Sequence, residues 1–223
     1  GNATVALTGT GQTPTGGGTT IPAPTSGSWQ LNGSATIVGA GLQLTANTAE
    51  QTGTAIYPTA VSTSNLTIDF DATIDQGNGA DGLTFAFLPA TTPTTSIGTG
   101  GGGLGWGGLG GVAIALDTYQ NWNATWTAPI DPSNNFVGIA TGATTDNLTW
   151  AATSTSIGNL RTGTHHLKIT TTGGRLTVTV DGTKVLDIAT PTQLPATARL
   201  AFTGATGGDT DRHTITNTTI TAA

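Results

Sequence analysis

Gly111-Val112-Ala113-Ile114-Ala115-Leu116-Asp117-Thr118-Tyr119-Gln120-Asn121, with Asp131-Pro132 a short way downstream, is the stretch whose reading decides the fold. Val112, Ile114 and Leu116 alternate with Ala113 and Ala115. A period of two with no polar face predicts a central strand buried on both sides. The strand runs straight into an acid, an aromatic and an amide, and a second acid follows. Two carboxylates, a side-chain amide and the backbone carbonyl between them are hard oxygen donors, the kind Ca²⁺ gathers roughly six to eight at a time. The expectation is a calcium-organised loop at the end of a core strand.

Outward from this strand the same signal recurs. Upstream, strands are expected over 29–37, 41–45 and 54–57. The stretch 66–74 alternates cleanly, and Gly77-Asn78-Gly79 turns the chain into 83–88. A long Thr/Gly loop over 91–111 carries Leu104 and Trp106. Downstream come 136–140 and 148–154, then two hairpins around Gly173-Gly174 and Asp181-Gly182. Strands at 199–203 and 214–221 follow. No apolar period of about 3.6 is present, so the domain is all-β. Many short strands with turn signals between them predict a two-sheet sandwich or jelly roll.

Composition narrows the function. Only 8% of the 223 residues are charged, and the net charge is −6 with no basic cluster, which excludes a nucleic-acid backbone as partner. Neutral ligands and cations suit it better. Cys is absent, so neither disulfides nor thiolate chemistry are available. No apolar run reaches membrane-spanning length, so no membrane insertion is expected. Met is absent too, so the chain is expected to be a piece of a longer protein with other domains.

Three segments are expected. The stretch Thr4-Val-Ala-Leu-Thr-Gly-Thr-Gly11 within 1–12 resembles the last strand of a bacterial immunoglobulin-like surface module. Residues 13–27, rich in Pro, Gly, Thr and Ser, read as a linker. The main domain then spans 28–223.

Four loops carry candidate chemistry in a fixed order: Gly79-Ala80-Asp81-Gly82, Gly103-Leu104-Gly105-Trp106, Asp117-Thr118-Tyr119-Gln120-Asn121, and the loop after Phe202, Gly204 to Asp209, with His213 beyond it. With the opening Trp29-Gln-Leu-Asn-Gly-Ser-Ala-Thr36, this ordered set resembles the L-type (legume-type) lectins, most closely their bacterial, modular relatives. The resemblance covers almost all of 28–221. It implies a concanavalin A-like two-sheet jelly roll that binds a neutral glycan or glycoconjugate, on a secreted or cell-surface bacterial protein such as an adhesin.

Site roles follow from the same resemblance. Asp81 would accept hydrogen bonds from sugar hydroxyls, after a cis peptide bond from Ala80. Gly102 or Gly103 would donate a backbone N–H. Tyr119 would offer its face and Asn121 its amide, and Gly207, Gly208 and Asp209 would line the far side. Calcium would be held by Asp117, the Tyr119 carbonyl, Asn121 and Asp131, and would act on the sugar only by fixing Asp81 and Asn121. Legume members hold a transition metal through a Glu and a His at positions that are here Ala115 and Phe136, so the resemblance carries calcium alone. The segment between Asn121 and Asp131 is longer than the legume pattern and holds Trp122 and Trp126. These are either core residues or an added sugar platform, whereas Trp29 and Trp106 read as core. His165, His166 and His213 read as structural.

Rival classes fare worse. A glycosidase needs paired carboxylates, and the sole glutamate, Glu50, has no acid beside it in sequence. A stalk or adhesin spacer with a lectin fold and no sugar would not need Asp81, Asp117, Asn121 and Asp131 together. An ice- or mineral-binding face would need regular Thr ladders across many strands, which the sequence does not display.

Overall fold

A computed structural model describes residues 18–144 and 147–223. The expected strand in 1–12 and the first part of the linker lie outside the described residues. The strands are β1 (Thr19–Ile21), β2 (Gln30–Gly33), β3 (Thr36–Val38), β4 (Gly41–Thr45), β5 (Thr52–Ile56), β6 (Val61–Ser62), β7 (Leu66–Asp75), β8 (Gly82–Pro89), β9 (Val112–Asp117), β10 (Phe136–Thr144), β11 (Asn147–Ser154), β12 (Thr164–Thr172), β13 (Arg175–Val180), β14 (Thr183–Ala189), β15 (Thr197–Ala205) and β16 (Arg212–Ala222). They form two antiparallel sheets. The back sheet has the order β14-β13-β12-β7-β16-β4-β3, with β1 added on β16. The front sheet has the order β11-β10-β9-β8-β15-β5-β2, with β6 added on β15.

Alternation decides which residues meet between the sheets. On β7, Leu66, Ile68, Phe70, Ala72 and Ile74 point inward and the residues between them face out. Phe70 packs edge-on to Phe202 of β15 at 5.1 Å, and Phe202 to Phe85 of β8 at 5.2 Å, so aromatic rings stitch the two sheets together. All six residues of β9 are buried, as its double-sided apolar pattern predicts. The cause is a third layer. Loop 91–111 folds over the outer face of the front sheet and lays Leu104 and Trp106 on Ala86, Ala113, Ala115, Ala140 and Ala201. Small side chains there let the loop lie close. It is tied down where Thr203 Oγ1 donates to the Leu104 carbonyl (2.7 Å) and Trp106 Nε1 to the Gly110 carbonyl (3.1 Å).

Two sequence expectations are corrected. The single strand over 29–37 is two strands in different sheets, because Gly33 turns the chain at φ +62, where a Cβ would meet the Thr52 carbonyl at 2.0 Å. Part of the presumed linker is built into the sandwich. β1 pairs with the end of β16, Ile21 is buried, and Trp29 Nε1 donates to the Pro22 carbonyl at 2.7 Å.

The outer face of the back sheet is polar. Thr20, Thr221, Thr67, Thr170 and Thr177 align across five strands, a regularity invisible along the chain. The neighbouring row is Thr219, Asp69, Lys168 and Thr179, so charge interrupts the plane after one row.

Candidate functional site

The candidate loops converge at one end of the sandwich. β7 ends at Asp75 opposite Arg212, where β16 begins, so the chain leaving β7 and the chain entering β16 run side by side. Asn78 and Gly79 both donate to the Thr210 carbonyl (2.9 and 3.3 Å). Gly77 sits so close that a Cβ there would lie 1.7 Å from that same oxygen. Only glycine permits this approach. Asp81 follows through a cis Ala80–Asp81 peptide, as the lectin resemblance implies. Its carbonyl accepts the N–H of Thr118 (2.9 Å) and the Thr118 hydroxyl (3.2 Å), which joins the Asp81 loop to the end of β9. The Asp81 side chain lines a cleft with Ala80, Tyr119, Gly207, Gly208 and Asp209.

Beneath that cleft three carboxyl groups share one low-dielectric region. Asp117 is buried; its Oδ1 accepts the Tyr119 N–H at 3.1 Å, while Oδ2 has no partner among the described residues. Asp131 Oδ2 accepts the Asn121 N–H and its Oδ1 accepts Trp150 Nε1, both at 2.8 Å. Oδ2 of Asp81 is also buried without a partner. Burial, joined by Asp131, holds the Asp117 carboxyl well above the usual carboxylate range. Burial pushes Asp81 up to about 7; the Gly207 N–H opposes this, and Asp209, Glu50 and Asp131 add to it. Burial raises Asp131 as well, against the Asn121 and Trp150 donors.

Mutually repelling carboxylates with orphaned oxygens, and no protein cation between them among the described residues, fit a divalent cation. Among the described residues no three His, Cys, Asp or Glu side chains form a metal site unaided. The candidate set instead mixes Asp117 and Asp131 with the Asn121 amide and the Tyr119 carbonyl, an oxygen set that suits calcium. A second, transition metal does not fit. Ala115 and Phe136 are fully buried, and Phe136 packs edge-on against Trp150 at 5.0 Å.

The glycine loop differs in detail from expectation. Gly101–Gly103 form one 3-10 turn in which Gly102 and Gly103 are buried, and the Gly103 N–H already donates to the Gly100 carbonyl at 3.0 Å. Gly100 and Gly101 line a cleft with Glu50, Thr206 and Gly207. Glu50 was isolated in sequence but is not isolated in space: its N–H donates to the Gly207 carbonyl, and its charge acts on Asp81.

Sequence reasoning also missed the braces behind the loops. Asp211, fully buried, accepts Arg161 Nε (2.8 Å) and Nη2 (3.0 Å) and the Gly77 N–H (3.1 Å). Arg161 Nη2 also reaches the Gly77 carbonyl at 2.6 Å. Asn78 is tied to the Asp209 carboxylate and accepts the Thr210 N–H at 2.7 Å. His213 is buried and bonded to Thr45 Oγ1 at 2.6 Å, a structural role as expected. Trp29 and Trp106 are core, whereas Trp122 and Trp126 are not: they are 37% and 70% exposed.

No protein-family model matches the chain. Solved structures match nearly all of it. The VIP36 exoplasmic/lumenal domain in its Ca²⁺/Man-bound form superposes with a TM-score of 0.69 at 18% identity, over 88% of this chain and 83% of that one. Lectin I-B4 from Griffonia simplicifolia, metal-free, gives 0.71 at 21% identity, over 88% and 94%. The lectin from Bauhinia forficata in complex with GalNAc gives 0.70 at 20% identity, over 92% and 98%. The fold is that of the L-type lectins. The Griffonia simplicifolia and Bauhinia forficata matches are lectins, binding proteins rather than enzymes. Among curated sequences, the "Serine-rich adhesin for platelets" of Staphylococcus aureus (strain MRSA252) is 44% identical over 87 residues, 36% of this chain. The match covers only 6% of the adhesin's length. No helix among the described residues is long and apolar enough to cross a membrane.

Proposed function

We propose that this domain is a calcium-dependent carbohydrate-binding module of a larger secreted or surface-exposed bacterial protein. The observation that carries the reading is the buried group Asp81, Asp117 and Asp131, which gathers negative charge under a cleft and leaves two carboxylate oxygens unpartnered. Asp117, Asn121, Asp131 and the Tyr119 carbonyl would hold calcium, which supplies the positive charge that lets these carboxyls ionise while buried. In that state Asp81 is a charged acceptor for two sugar hydroxyls, with Tyr119 beside it as an apolar face. The Asn121 amide and backbone donors of Gly101 or Gly102 and of 206–209 complete a ring of groups suited to a neutral pyranose. Thr118 links the two functions through the protein: it belongs to the calcium loop and grips the Asp81 carbonyl.

The matched lectins were solved with mannose and GalNAc, and the partly matched curated protein is an adhesin; both support a glycan partner and a surface setting. A glycan array probed in millimolar calcium and again in chelator tests the reading. Retention on defined glycans with calcium and its loss in chelator is the expected result. An empty array under both conditions would favour the alternative, a spacer with a lectin fold.

A further inference from the structure

The segment between Asn121 and Asp131 is a hairpin built by its own hydrogen bonds. Ile130 donates to the Asn121 carbonyl (2.9 Å), Asn123 to the Ala128 carbonyl (2.9 Å), and Trp126 to the Asn123 carbonyl (2.8 Å). Trp122 bridges to Pro129. The Asn123 side chain fills the turn: its Oδ1 accepts the Thr127 N–H (2.9 Å) and the Thr125 hydroxyl (3.2 Å), and its Nδ2 donates to the Thr127 hydroxyl (3.0 Å). This local scaffold holds Trp126 at φ +54, an uncommon backbone state for a bulky side chain, with the ring mostly in water. Neither indole N–H, of Trp122 or of Trp126, has a protein partner among the described residues. Trp122, Trp126 and Ile130 are all exposed on this one hairpin, and clustered exposed apolar groups mark recognition surfaces.

The hairpin faces the ends of β10 and β11 across a cleft of about 540 Å³, lined by Asn121, Trp122, Trp126, Thr144 and Asn147 among others. Among the described residues that line it, none is charged. Indole faces, amides and a hydroxyl together match a pyranose, which has apolar C–H faces and hydroxyl edges. Asn121 belongs both to this cleft and to the proposed primary site, so a ligand can pass from one to the other without leaving the protein.

We propose that the Trp122–Trp126 cleft is a second sugar subsite, so that the module recognises a neutral oligosaccharide of at least two residues rather than a single sugar. This rests on the carbohydrate-binding reading above. One residue sits at Asp81, and the next stacks on the Trp126 ring.

The test compares neutral glycans, each offered as a monosaccharide and as the same residue ending a di- and trisaccharide, by titration in millimolar calcium. The wild-type domain is expected to bind an oligosaccharide about tenfold or more tighter than its terminal monosaccharide. Trp126→Ala should erase most of that gain and leave monosaccharide affinity within about twofold, with Trp126→Phe recovering part of it. Tryptophan fluorescence should shift with the longer glycan and much less with the monosaccharide. An unchanged melting temperature for Trp126→Ala shows that the fold is intact. Equal affinity for long and short glycans, or an equal loss for both in Trp126→Ala, overturns the subsite while leaving the primary reading standing. Oligosaccharide affinity that is unchanged in Trp126→Ala but lost in Asp81→Asn does the same. Sugar-independent dimerisation abolished by Trp126→Ala assigns the indoles to a second copy of the chain and also overturns it. No binding to any glycan fails both proposals together.

Discussion

Asp211 and Asp117 are buried carboxylates at the same end of the sandwich, and the protein treats them in opposite ways. Asp211 is given a guanidinium in a two-pronged grip and a backbone N–H besides. Asp117 receives one backbone N–H on one oxygen, nothing on the other, and like charges as neighbours. An uncompensated buried charge is costly, and this chain evidently has the means to compensate one. The difference is what the proposed calcium site would require: at Asp117 the balancing charge would come from outside the polypeptide, while at Asp211 it is internal and holds the loops.

The comparison breaks most visibly at Arg161. Arg161→Met strands Asp211 and should cost about 3 kcal/mol, the low end of the range for an orphaned buried charge because the arginine is 31% exposed. Urea melts measure this, and Arg161→Met combined with Asp211→Asn should regain at least half of the loss. An equal loss in single and double variants would mean that the brace acts by shape rather than charge.

At Asp117 the stabilisation should come from outside. Calcium at a hundredfold excess over Kd should add about 2.7 kcal/mol, read as a raised Tm relative to chelator. Asp117→Ala should remove the shift, and so should Asp131→Ala. A full shift in Asp131→Ala would mean that another oxygen of the 121–131 hairpin takes its place.

The pH dependence should then change sign with calcium. Asp81, at about 7 when folded and near 3.8 when unfolded, binds its proton more tightly in the native state. Its contribution therefore falls as pH rises from 4 to 7, and the raised Asp117 and Asp131 act in the same direction. His213, lowered to about 3 by burial, works the other way: its contribution is present above pH 6.5 and is lost as pH falls toward 3. In chelator the three acids outweigh one histidine, and Tm should drop between pH 4 and 7. In calcium the carboxylates are already ionised, the histidine is left, and Tm should rise over the same interval. Parallel curves would contradict the assignment of the acids to a cation.

Smaller effects sharpen the contrast within the site. Asp81→Asn should weaken glycan binding by about 1.5–3 kcal/mol, the worth of hydrogen bonds to a charged group, with the calcium shift retained. Trp150→Phe removes one donor from Asp131 and should change stability by about 1 kcal/mol in chelator. A change several times larger would give Trp150 a packing role beyond its hydrogen bond.

Much of this was legible in the chain. The doubly apolar β9, the clean alternation of β7 and the two glycine-turn hairpins carry their period over enough residues to be read locally. The ordered loops grouped Asp81, Asp117, Tyr119 and Asn121, and the fold brings those loops to one end of the sandwich. What escaped depends on distance along the chain. β1 is three residues in a Thr/Pro-rich stretch, and its partner lies at the other end of the domain. Arg161 meets Asp211 fifty positions away, Trp150 meets Asp131 across a hairpin, and Glu50 reaches the site only because β5 pairs with β15. The Gly103 N–H is used within its own turn, which a run of four glycines conceals.

β1 and β16 also fix how the domain bears load. Thr19 pairs with Ala222 and Leu66 with Ala222, whereas the Asp81 loop begins beyond the Asp75–Arg212 pair at the opposite end of β7. At about 3.3 Å per residue, the ten residues of β7 separate the two ends by about 30 Å. Tension applied through both flanks of the domain enters and leaves at one pole, crosses only the β1–β16 hydrogen bonds, and peels them one at a time from that edge. The opposite pole, where the Asp81 loop lies, is outside that line, so tension between the two flanks would leave the Asp81 loop undeformed.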